Sequence, residues 1–288
     1  MRRMERARRR LLVLPLWGIS GALRAAGATP GGPDAPTPVL RLGLAPFLSP
    51  QALLTAFASL RAHLVRTLGS PVELYTARDF RSLLEGARRG DYEIVLLPGH
   101  LAALLALDDG WLPLARTAPV TEVLVLVRAD GPVQAAAGLR GRPVGMLDAL
   151  SLAATVGTAW LRRQSLGPED TPPLAMTSIN SALLALQRDE VAAVVATETQ
   201  LATMPPSLTA ATRVLARLDR IPGPLYMARP GTTPAQRQRW LAAMSTYEPD
   251  KARPLTAANS RPSPLTNADL APLAPYAELA RRQLAAPR

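Results

Sequence analysis

Apolar runs of strand length alternate with helical stripes along most of this chain. Leu40 to Ala45 reads as a strand, and Pro46 to Pro50 breaks it. Leu53, Phe57, Leu60 and Leu64 then recur at three- and four-residue spacing, which predicts a helix entered through Ser49 as N-cap and Pro50 as its first residue. Val72 to Tyr75 predicts a strand, Phe80 to Ala87 a helix ending near Gly90, and Tyr92 to Leu97 a strand buried on both faces. Leu97-Pro98-Gly99-His100 follows that strand, with a helix beginning at His100. Ends of strands in open α/β sheets are where ligands sit. Thr121 to Arg128 is a further long apolar strand.

The pattern then restarts. Leu139 to Met146 gives a turn and a strand, Leu152 to Gln164 a helix, Leu174 to Thr177 a short strand, Ser181 to Gln187 a helix, and Val191 to Ala196 a strand. A second β-α set predicts a second sheet, and strands that alternate with helices predict parallel pairing. Gly223 to Arg229 is extended, with Tyr226 placed in a hinge strand, and Thr233 to Tyr247 is helical. Glu248 to Leu265 reads as irregular, and Asn267 to Ala286 as a terminal helix interrupted at Pro272 and Pro275.

Charge and composition narrow the classes. The formal charge is +11, yet the first 28 residues hold seven arginines against Glu5, and Lys251 is the only lysine. Bases without a clustered face or interleaved aromatics argue against a nucleic-acid partner. Residues 1–28 have the form of a secretory signal: basic Met1 to Arg10, apolar Leu11 to Leu23, and Ala26-Gly27-Ala28 as a small-x-small cleavage site. The apolar stretch is broken by Pro15 and Gly18 and falls short of the roughly 20 residues that span a bilayer. Arg8-Arg9-Arg10-Leu11-Leu12 partly resembles a twin-arginine signal. The absence of cysteine excludes disulfides, thiolate metal sites, a cysteine nucleophile and a lipid anchor on cysteine. Two histidines, His63 and His100, give no metal-ligand cluster, and no cofactor is expected.

With these residues in place the chain resembles the periplasmic solute-binding proteins of phosphate, phosphite and phosphonate ABC transporters, over about Val39 to Met244. The resemblance is carried by the order and spacing of Gly43 to Pro50, Leu68 to Leu74, Arg89 to Leu96, Leu139 to Val144, and Ile221 to Pro224. It implies an α/β type II periplasmic-binding-protein fold: two lobes, each a mostly parallel sheet flanked by helices, joined by two hinge crossings. The expected division is a signal peptide at 1–28, a Pro/Gly-rich mobile arm at 29–38, the first part of lobe one at 39–128, lobe two at 129–217, and a return to lobe one with C-terminal helices at 218–288. The crossings are expected near Val127 and Leu218.

The resemblance also implies the function: an exported, periplasmic, monomeric protein that closes over a small oxyanion and delivers it to an inner-membrane ABC permease. Helix-start N–H groups and short hydroxyl side chains would hold the anion, because unsatisfied N–H groups and the positive helix end favour negative charge. Carried over, the lobe-one loops give Phe47, Ser49, Gly99 and His100 as ligand-binding candidates. The hydroxyl-rich loop of lobe two falls on Leu147 to Ser151, where Ser151 is the one hydroxyl and Asp148 adds an acid. Asn180, Ser181, Thr197 and Glu198 complete the candidate set.

Each candidate also has a plainer reading. Ser49 can serve as a helix cap alone, Asp148 as the cap of the following helix, and Thr197 as the start of a T-x-x-Q capping box with Gln200. His63 reads as a flank residue without a special duty. Ser49, His100 and Asp148 could in principle form a hydrolytic triad, but Ser49 lacks a G-x-S-x-G elbow. A ligand-sensing subunit for a separate membrane histidine kinase is the remaining alternative.

Overall fold

The computed structural model describes residues 39–118 and 120–285. The predicted signal peptide, the arm at 29–38 and Ala286 lie outside the described residues.

The first sheet is built from β1 (Leu40–Leu44), β2 (Val72–Thr76), β3 (Ile94–Leu97), β4 (Leu112–Arg116), β10 (Leu225–Ala228) and β11 (Ser263–Pro264), in the order β11-β4-β10-β3-β1-β2. The helices α1 (Pro50–Leu68), α2 (Phe80–Arg89) and α3 (Gly99–Asp109) connect its early strands. One face packs on α1 and on α8 (Pro234–Ser245) through Leu53, Phe57, Leu60, Leu64, Trp240 and Met244. The apolar stripe read from the sequence of α1 is therefore its buried face.

The second sheet, in the order β7-β6-β8-β5-β9, holds β5 (Val120–Arg128), β6 (Val144–Met146), β7 (Pro173–Ala175), β8 (Ala193–Thr197) and β9 (Thr212–Pro222). Around it lie α4 (Leu152–Arg163), α5 (Ile179–Gln187) and the one-turn helices α6 (Glu198–Leu201) and α7 (Pro206–Thr209). The chain closes with α9 (Asn267–Leu270), a 3-10 turn over Ala271–Leu273, and α10 (Ala274–Ala285). Pro272 falls in that turn, as the sequence predicts, whereas Pro275 is absorbed in the first turn of α10, where a missing N–H costs nothing.

The parallel pairing predicted from β-α alternation holds for β1-β2, β1-β3, β6-β7 and β6-β8. It fails at the strands that carry the chain between sheets: β5 runs antiparallel to both β8 and β9, and β10 antiparallel to β3 and β4. Consequently the crossings differ from those expected near Val127 and Leu218. Both β5 and β9 belong wholly to the second sheet, so the chain leaves the first sheet after Arg116 and returns between Pro222 and Leu225. Tyr226 is likewise not a hinge residue; it is fully buried in the middle of the first sheet.

The irregular segment predicted over Glu248 to Leu265 is tied down by Asn259. Its amide donates to the Asp250 carbonyl at 2.9 Å and accepts from the Asp250 N–H at 2.8 Å. The inner core runs from Leu101, Leu104 and Leu105 on α3 to Leu150, Leu152 and Val156 of the second lobe, with Ala277 and Ala280 of α10 completing it. Both lobes thus share one apolar core.

Candidate functional site

Because β1, β2 and β3 run in one direction, the loops after them gather at one edge of the first sheet; those after β6, β7 and β8 gather at one edge of the second. These two edges carry every candidate named from the sequence. They meet where His100, in the first turn of α3, bonds through Nε2 to the carbonyl of Leu150 at 2.9 Å.

Ser49 occupies the N-cap position of α1, but its hydroxyl makes no cap hydrogen bond. With Pro50 next, the N–H groups of Gln51 and Ala52 are left without partners by helix geometry, and both residues are exposed. An open donor cluster results. Phe47 stands beside it, 37% exposed, with its ring edge against Phe80 at a centroid distance of 6.3 Å.

Gly99 begins α3 and is covered from within: a Cβ there would lie 2.9 Å from Cδ1 of Leu273. An alanine there would have to push the end of the Leu273 side chain aside. His100 is completely buried, and burial pulls its ring down to about 4, partly offset by the Leu150 carbonyl. The ring is therefore neutral at physiological pH, with the proton on Nε2 facing the carbonyl oxygen and Nδ1 without a partner.

In the second lobe Asp148 does not cap α4. Its Oδ1 accepts from the Leu150 N–H at 2.7 Å, an Asx turn one step before the helix. The cap is Ser151, whose buried hydroxyl accepts from the Ala154 N–H at 3.2 Å. Ser181 is not at the helix start but three residues in: it forms a capping box with Ser178, and its hydroxyl donates to the Ser178 carbonyl at 2.8 Å. Asn180 is exposed beside it. Thr197 caps α6 in the T-x-x-Q box read from the sequence, and Glu198 is exposed as the first residue of that turn.

Ser49, His100 and Asp148 do not form a triad, since the ring and the carboxylate are both committed to Leu150 and the serine hydroxyl bonds to neither. Among the described residues no group of three or more His, Asp or Glu could hold a metal ion. His63 has a duty the sequence did not reveal: its ring nitrogen lies 2.9 Å from the Ala243 carbonyl and packs on Tyr247, pinning α8 to α1.

Sequence reasoning missed the bracket formed by α10. Arg281 grips Asp108 of α3 through two bonds of 2.9 and 2.5 Å, and Arg81 of α2 donates to the carbonyl of Leu284 in the last turn of α10 at 2.8 Å. On the other lobe, Thr155 donates to the Gln283 side chain at 3.2 Å and Tyr276 bonds to Asp219. The charged side of the last helix, Glu278 with Arg281 and Arg282, was the available signal. A cavity of about 400 Å³ lies apart from these loops, at the opposite edge of the first sheet beside Arg88, Asp109, Trp111 and Arg229.

Two sheets linked by two crossings, with helix starts opposed across their strand ends, define a two-lobe binding protein of type II architecture. Residues 42–270 match the family described as the periplasmic substrate-binding protein of phosphonate ABC transporters. This chain belongs to that family, whose role is substrate binding for transport and not catalysis. Its fold is similar to a binding-protein component of an ABC phosphonate transporter from Pseudomonas aeruginosa, at 16% identity, a TM-score of 0.72, and coverage of 85% of this chain and 87% of that one. A Xanthomonas citri protein bound to ATP gives 19% identity, a TM-score of 0.70, and coverage of 85% and 97%. PhnD1 of Prochlorococcus marinus in complex with methylphosphonate gives 11%, 0.70, and coverage of 86% and 99%. No curated protein matches the chain.

Proposed function

We propose that the chain captures a small oxyanion of the phosphate or phosphonate class between its lobes and hands it, as a monomer, to an inner-membrane permease. Export by a cleavable signal over residues 1–28 belongs to the same reading. The observation that carries it is the start of α1, where an uncapped hydroxyl on Ser49 and the free N–H groups of Gln51 and Ala52 form a donor cluster at a positive helix end. Such a cluster binds negative charge without a cationic side chain. Phe47 beside it suits the apolar substituent of an organic phosphonate. Asp148, the acid of the Leu147 to Ser151 loop, has one oxygen occupied by the Leu150 N–H.

Thermal-shift measurements on purified protein with phosphate, phosphite, methylphosphonate, an alkanesulfonate and a small amine test this reading. An oxyanion far above its Kd raises the melting temperature, because binding to the folded state alone stabilises it. A shift with the amine and with none of the oxyanions would refute it.

A further inference from the structure

Resting on the reading that the lobes close over a solute, we propose that His100 is the positioning residue of closure: a lobe-one imidazole that fixes the lobe-two loop through the carbonyl of Leu150. The bond joins protein atoms alone and so holds the jaws together before any solute is bound.

Three observations support this. The bond links the two strand-end edges directly, at 2.9 Å from Nε2 to the Leu150 oxygen. It lies in a dry contact, because His100 is fully buried and Leu101, Leu150 and Leu152 belong to the apolar core that runs across both lobes. It also fixes a loop already braced from behind, where Asp148 accepts from the Leu150 N–H and Ser151 caps α4. One peptide-bonded residue, Leu150, thus receives the latch on its carbonyl and a brace on its N–H.

The latch is releasable by construction. Nδ1 is buried without a partner, so opening the lobes returns water to it and offsets part of the lost bond. Opening also restores the ring's ordinary affinity for a proton, which the dry contact suppresses. The charged and titratable groups nearby have other partners than the ring: Asp148 bonds the Leu150 N–H on the far side of the same residue, Tyr276 bonds Asp219, and Arg281 bonds Asp108 and Glu278. Acid therefore acts on this contact through the ring itself, and it favours the open form.

Small-angle scattering of the purified protein without added ligand, at pH 7.5 and pH 5, tests the latch. Wild type is expected to be compact at pH 7.5 and to expand toward pH 5, the open-to-closed ratio growing by up to about tenfold per pH unit below 6.5. His100→Phe removes the donor and should be expanded at both values. His100→Gln keeps a donor but cannot titrate, and should stay compact at both. Equal dimensions for wild type and His100→Phe at both pH values, or acid expansion of His100→Gln matching wild type, would overturn the proposal. If His100→Phe loses its fold by circular dichroism, His100→Gln decides alone by the same criterion. No ligand enters this experiment, so its failure leaves the solute-binding reading, tested by thermal shift, standing or falling by itself.

Discussion

Thr117 gives both its backbone N–H, at 3.2 Å, and its hydroxyl, at 2.9 Å, to the carbonyl of Pro224. One residue leaves the first sheet and the other lies on the return, so this doubled bond ties the two crossings into a single hinge. Thr117 is 3% exposed, and its hydroxyl has no water to fall back on.

Thr117→Val keeps the shape and the N–H bond but loses the hydroxyl. The expected loss is about 1 kcal/mol, or roughly 2–4 °C in melting temperature for a chain of this size. Hydrogen exchange should accelerate at the return strand more than in α1. Unchanged exchange there would mean that the hydroxyl does not restrain the hinge.

His100 makes stability depend on acid. An unfolded histidine takes up a proton near pH 6.5 and the buried ring only near about 4, so between those values the unfolded chain binds more protons. The contribution is complete above pH 6.5 and declines as pH falls toward 4 for as long as the lobes stay closed, because opening lets the ring protonate without unfolding. Urea denaturation across that window should show the decline in wild type and a flatter profile in His100→Gln.

Gly157 sits on α4 where the helix meets β8, and a Cβ there would lie 2.7 Å from Cγ1 of the buried Val195. Alanine gains about 1 kcal/mol in helix propensity, yet a stiff β-branched neighbour in a packed core costs about 1–3 kcal/mol to displace. Gly157→Ala is therefore expected to lower the melting temperature. A rise would show that α4 can shift freely on the sheet.

The grip of Arg281 on Asp108 attaches the α10 bracket to lobe one. Arg281 holds the Asp108 carboxyl below its usual range, so the contribution is present above about pH 4 and disappears as acid protonates the group. Both side chains are partly solvated, so the effect is modest and screened. Asp108→Asn should lower the melting temperature in low salt and match wild type in about 1 M salt.

Much of this architecture was legible in the letters, and the exceptions have physical causes. The α1 stripe and the Thr197 capping box are local patterns that no tertiary contact overrode. The sheet membership of β5 was not legible, because Val123 to Val127 reads as a buried strand whichever sheet receives it. The strand β9 escaped notice because two irregularities in its pairing with β5 break the alternation that would mark it. At the site, strand-end loops were found by position. The partner of His100 was not, since a main-chain carbonyl has no letter. Asp148 and Ser181 were misplaced by a few residues, which is enough to turn a cap into an Asx turn or a capping-box partner.

Titration calorimetry of methylphosphonate and phosphate into wild-type protein and Ser49→Ala tests the central claim most directly. The account predicts one-to-one binding of at least one oxyanion to wild type, weakened about tenfold in Ser49→Ala by loss of a hydrogen bond to a charged group. Saturable binding that Ser49→Ala leaves unchanged, or no binding of either oxyanion, would contradict it.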